Sequence, residues 1–128
     1  MGMTLSEKII AKACGSAAVR PGEIVTCAVD LAMTHDSSGA RRQWPRLKEL
    51  GVGVWDPDKV VVITDHYVPA VDAVSAELLK ITRDWVAEEK IPHFYDHQGI
   101  CHIVLPERGH LKPGMFVVGG DSHSCTGG

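Results

Sequence analysis

The sequence predicts an α/β fold: three layers, helix–sheet–helix, around a mostly parallel sheet. Two observations predict it. Strand-like runs alternate with helix-like runs along the chain, the order that builds parallel sheets. The clearest strand, residues 59–64 (KVVVIT), is an almost unbroken β-branched run, the pattern of a strand covered on both faces. With 45% hydrophobic residues in 128, the chain can bury a real core.

Each element has its own signal. Thr4 can cap a first helix, with Glu7 completing a capping box; Leu5, Ile9, Ile10 and Ala13 supply its apolar face and Gly15 its stop. Pro21-Gly22 is a turn, and residues 24–31 read as a short strand. Ser37, Ser38 and Gly39 open a loop. Trp44, Leu47 and Leu50 then follow at helical spacing, with Pro45 expected in the first turn. Asp56-Pro57-Asp58 is a turn before the strand at 59–64. Val71, Val74, Leu78, Ile81 and Trp85 form one stripe of a long helix reaching Glu89. His93-Phe94-Tyr95 is a further short strand, 106–114 a loop, and 115–119 a last strand. After Gly128 an α/β unit would continue into a helix, so the expectation is a partial domain over residues 1–128, cut inside a βα unit.

Composition narrows the function classes. Lys and Arg total 13 against 16 for Asp and Glu, a net charge of -3 with no block of one sign, which argues against a grip on nucleic acid or anionic lipid. No apolar run approaches the roughly 20 residues of a membrane span. The opening residues lack the apolar core of a secretory signal, so a cytoplasmic location is the expectation. Cys14, Cys27, Cys101 and Cys125 form no C-x-x-C pair, and no metal ligand set is assigned within the chain.

The chemistry-bearing residues cluster at strand ends. His66 follows Asp65 just past one strand, and His123 follows Asp121-Ser122 just past another. Parallel strands present their carboxyl ends on one edge of the sheet, where ligands bind. An imidazole beside a carboxylate can act as an acid near neutral pH. Either histidine alone reads more readily as a solvated loop residue; it is the two together, at matched strand ends, that point to a shared site. His102, after Gly99-Ile100-Cys101, reads otherwise as a half-buried histidine bonded to backbone, and Asp36, beside His35, as a helix cap. Four histidines, His35, His66, His102 and His123, could alternatively converge on one metal ion in a mononuclear hydrolase.

These segments carry a resemblance. Thr64-Asp65-His66-Tyr67-Val68-Pro69, Gly99-Ile100-Cys101-His102 and Gly119-Gly120-Asp121-Ser122-His123-Ser124-Cys125-Thr126 resemble, in order, three motifs of the aconitase family. The opening 3–9 and Thr34-His35-Asp36 look most like the 3-isopropylmalate dehydratase and homoaconitase large subunits of that family. The resemblance implies the amino-terminal portion of an aconitase-like iron–sulfur domain in a hydro-lyase. Its substrate would be a hydroxy di- or tricarboxylic acid, with 3-isopropylmalate (leucine biosynthesis) ahead of homoaconitate and 2,3-dimethylmalate. It implies a [4Fe-4S] cluster in the full-length parent and a separate small, swivel-domain subunit as partner. It implies that His66, supported by Asp65, protonates a departing hydroxyl, and that His102 pairs with Asp121. It implies that Ser122 and His123 contact substrate or the cluster-bound water, and that His35 sits where the family places an early substrate-contacting residue.

The chain departs from the family pattern at Ser124, where Thr is usual, and at Ile103, where Gln is frequent. The family's cluster cysteines, base serine and carboxylate-binding arginines match no residue among these 128. The chain alone is therefore expected to be inactive and to bind no cluster. A non-catalytic binding module, with an apolar face exposed where further elements should dock, is the competing expectation from another class.

Overall fold

The computed structural model describes residues 2–128. Four strands, β1 (Leu31–His35), β2 (Val60–Thr64), β3 (His93–Asp96) and β4 (Val117–Gly119), form one sheet in the order β3-β2-β1-β4. Every pair is parallel. The register places His35 beside Ile63, Thr64 beside Asp96 and Met33 beside Gly119, so all four strands end on one rim. Strand pleating sends alternate side chains to opposite faces. Leu31, Met33, Val61 and Ile63 point to one face, where Val104 and Leu105 of α4 (Cys101–Glu107) cover them. Val62 points to the other, against Ala40 of α2 (Ala40–Leu50) and Trp85 and Val86 of α3 (Ala73–Glu88). The three-layer parallel arrangement expected from the alternating pattern is the one observed.

Local chemistry explains both ends of the first helix and the start of α3. In α1 (Leu5–Cys14) the Thr4 hydroxyl accepts from the Glu7 N–H at 3.2 Å and Glu7 reaches back to the Thr4 N–H at 2.6 Å, while Gly15 closes the helix at φ 70°. Asp72 caps α3 through the Ser75 N–H.

Four expectations are corrected. Residues 24–30 enter no ladder, and the Ile24 side chain is fully exposed. The segment runs beside α1, with the Ala28 N–H donating to Ala13, and the chain first enters the sheet at Leu31. Extended propensity alone does not choose a strand; ladder partners do. Helix α2 starts at Ala40, so Pro45 lies in its interior rather than its first turn and removes one backbone donor there. On α3 the buried stripe is Ser75, Leu78, Leu79, Thr82, Trp85 and Val86, whereas Val71 and Val74 are exposed. Residues 101–107, for which the sequence predicts no helix and of which 106–107 fall in the predicted loop, form α4 despite Pro106.

Candidate active site

The shared rim brings the chain ends of β1, β2 and β4 together. The Asp65–His66 turn follows β2. The Asp65 carboxylate accepts the His66 Nδ1–H at 2.6 Å through one oxygen and the Cys101 backbone N–H at 2.7 Å through the other. A carboxylate can only accept, so the tautomer follows: His66 carries its proton on Nδ1 and turns Nε2 toward Asp121 Oδ2, 3.4 Å away. Burial is the largest single influence on the His66 pKa and lowers it. The Asp65 hydrogen bond and the charges of Asp65, Asp36 and Asp121 together outweigh it, and the net shift is upward. Burial likewise works to raise the Asp65 pKa, but the Cys101 N–H and His66 leave it below its ordinary value.

Asp121, past β4, is held from two sides. Its Oδ1 accepts the His123 backbone N–H and His102 Nε2, each at 2.7 Å. The His123 N–H is the main reason the Asp121 pKa falls to about 2, and His102 adds to it against the effect of burial. His102 reaches this oxygen from α4, so its partner is a side chain on the rim and not backbone. The His123 ring is 78% exposed and bonds to the Ser122 hydroxyl at 2.9 Å through Nδ1. It stands 6.2 Å from the His102 ring.

His35, at the end of β1, lies flat against His66: their centroids are 3.9 Å apart and the planes 11° from parallel. The Ser37 N–H donates to His35 Nδ1, which leaves the proton on Nε2, donated to the Gly120 carbonyl at 3.1 Å. Desolvation, followed by the charge of His66, lowers the His35 pKa, consistent with a neutral ring. The His35 side chain is 3% exposed with both nitrogens engaged, so it backs His66 instead of presenting a free polar atom to open space.

Asp36 does not cap α2, whose cap position is Gly39. Instead its fully buried carboxylate accepts the N–H groups of His66 (3.1 Å), Asp65 (3.4 Å) and Tyr67 (2.9 Å). Nothing in the sequence distinguished it from a cap. The only available signal was its position directly after a histidine at a strand end.

The rim thus joins Asp65, His66, His102 and Asp121 directly, with Ser122 and His123 at its exposed edge and His35 beneath. Two groups of donors lie close enough to share an ion, His35–Asp36–Asp65–His66 and His102–Asp121–His123. In the first group Asp36 and Asp65 have both oxygens, and His35 both nitrogens, engaged in the hydrogen bonds above. That favours a proton-handling network over a mononuclear metal centre. The residues do not fit a [4Fe-4S] cluster either. Such a cluster needs convergent thiolates, and neither donor group among the described residues contains a cysteine. The buried Cys101 thiol is pushed up to about 12 by burial and by Asp65.

Beside His102 opens an apolar cleft of about 590 Å³, lined by Leu5, Ile9, Leu105, Leu111 and Met115 among others. No helix among the described residues is long and apolar enough to cross a membrane.

Comparison with known proteins places this rim in context. The chain is 51% identical over 130 residues to 3-isopropylmalate dehydratase large subunit 1 of Methanopyrus kandleri, covering all of this chain and 31% of that protein. It is 45% identical over 131 residues to a probable methanogen homoaconitase large subunit of Methanothermobacter thermautotrophicus, covering 98% of this chain and 31% of that protein. It is 38% identical over 141 residues to the chloroplastic 3-isopropylmalate dehydratase large subunit of Arabidopsis thaliana, covering 99% of this chain and 28% of that protein. The chain spans less than a third of the length of these curated relatives. The model of the aconitase family (aconitate hydratase) matches residues 7–128, and the chain belongs to that family.

Proposed function

We propose that these 128 residues form the amino-terminal part of a hydro-lyase large subunit that dehydrates and rehydrates a hydroxy-carboxylic acid, with 3-isopropylmalate as its substrate. The observation that carries this is the His66 ring, held between Asp65 and Asp121 on the carboxyl rim of a chain related along its whole length to dehydratase large subunits. Protonated His66 offers its Nε2–H to a substrate hydroxyl, which leaves as water; the base that takes the neighbouring C–H proton belongs outside this chain. Asp65 keeps the proton on Nδ1, so Nε2 is the exchanging position. Asp121 fixes His102 and the 122–123 turn, and Ser122 and His123 are the exposed groups suited to substrate oxygens.

The [4Fe-4S] cluster expected of the family would be held by thiolates outside residues 1–128 and would supply Lewis acidity at the hydroxyl. A small subunit would complete the substrate cavity, since the relatives are named as large subunits. The homoaconitase relative supports homoaconitate as the second substrate to test.

The experiment is an anaerobic assay of the complete polypeptide with its small subunit, on 3-isopropylmalate, homoaconitate and 2,3-dimethylmalate. The highest kcat/KM is expected for 3-isopropylmalate. Preference for another acid would overturn the substrate assignment, and inertness toward all three would sink the hydro-lyase reading.

A further inference from the structure

We infer that Asp36 is the positioning residue of this site: its buried carboxylate gathers the backbone N–H groups of Asp65, His66 and Tyr67 and so fixes where the His66 ring stands. The inference rests on His66 being the proton donor proposed above.

The geometry comes from the sheet. Strand β1 ends at His35 opposite Ile63, so Asp36 leaves the ladder level with Thr64, the last residue of β2. Beyond Thr64 the β2 chain turns away and its N–H groups lose their ladder partners. The Asp36 side chain replaces the missing ladder bonds, taking His66 (3.1 Å) and Asp65 (3.4 Å) on Oδ1 and Tyr67 (2.9 Å) on Oδ2. A buried N–H left unpaired is costly, so these donors tie the turn to β1. Oδ1 also lies 3.9 Å from Nδ1 of both His35 and His66, beneath the stacked rings.

Neither close substitute reproduces this. Asparagine has one acceptor oxygen and would point its amide N–H groups at a backbone donor. Glutamate adds a methylene at a residue with no exposed surface. The groups facing His66 are Asp65 and Asp36 at Nδ1, Asp121 at Nε2, and the neutral His35 ring against its face.

The test is Asp36→Asn in the complete enzyme. A ring displaced by an ångström loses rate on the order of 10²-fold, so kcat should fall by about that factor with KM little changed. The pH limb set by His66 should move to lower pH, because one facing carboxylate is gone. An unchanged limb and unchanged kcat per folded molecule would overturn the inference. Should the variant fail to fold, the wild-type protein decides: the His66 and Tyr67 amides are expected to resist hydrogen exchange, and exchange at unstructured rates would refute the tether. If the wild-type enzyme dehydrates no hydroxy acid, the functional reading fails separately. Amide protection, with His66 imidazole titration by NMR in wild type and variant, still tests Asp36 without turnover.

Discussion

His66 sits where burial and three carboxylates pull in opposite directions, and the carboxylates win. Its pKa is raised, so the stability it gains from Asp65, Asp36 and Asp121 is fully present below its unfolded value of 6.5. That contribution disappears as pH rises through the folded value. His66→Gln should therefore cost more stability at pH 5.5 than at pH 8.5, and equal costs at the two values would contradict the ion pairing. In the complete enzyme the same substitution should reduce kcat by about 10²–10⁴-fold, the usual loss for a positioned acid. Much of this was legible in residue order, because Asp65-His66 and Asp121-Ser122-His123 stand at strand ends. What adjacency could not show was direction. Neighbouring side chains often diverge, yet Asp65 and His66 bond at 2.6 Å because the Cys101 N–H turns the carboxylate toward the ring. Nor could it show that Asp36 serves the turn after β2 and not the helix after β1.

Two elements invite direct tests. On α3, Trp85 is 2% exposed and anchors the face shared with Val62 and Ala40, yet its Nε1 has no hydrogen-bond partner among the described residues. Trp85→Ala should cost about 3–5 kcal/mol in chemical denaturation. Trp85→Phe should cost distinctly less, since it keeps a ring and removes the orphaned donor. Equal losses would show that the indole N–H is paired after all. At the end of β4, a Cβ on Gly119 would fall 2.1 Å from Ser124 Oγ and 2.6 Å from Ser124 Cβ. Gly119→Ala should cost about 1–3 kcal/mol by overpacking. It should also lower activity, because Ser124 bonds the Asp121 carbonyl and would be driven off it; an unchanged melting temperature would rule the clash out. Helix α3 was readable because apolar residues recur at helical spacing from Val74 through Leu78 and Ile81 to Trp85, although the buried face runs from Ser75 to Val86. The seven residues of α4 were not, because one β-branched pair and Pro106 obscure so short a period.

At the scale of the whole chain, the rim gathers two donor groups of His and Asp, and neither contains a cysteine among the described residues. The chain alone should show no dehydratase turnover, even with iron and sulfide supplied, because its thiols do not converge and Cys101 stays protonated near neutral pH. Measurable turnover of 3-isopropylmalate by the 128-residue chain would refute this. The alternation of strand and helix, the β-branched run at 59–64 and the Asp/His pairs were enough to establish an α/β fold and to nominate one edge of its sheet, because periodicity and strand-end position are local properties of the chain. The spatial order β3-β2-β1-β4, the stacking of His35 on His66 and the reach of Asp36 to the next strand's turn were decided only by the folded chain. Those contacts join residues 28 or more positions apart, and a sequence read along its length carries no term for which distant backbone donor a buried carboxylate will meet.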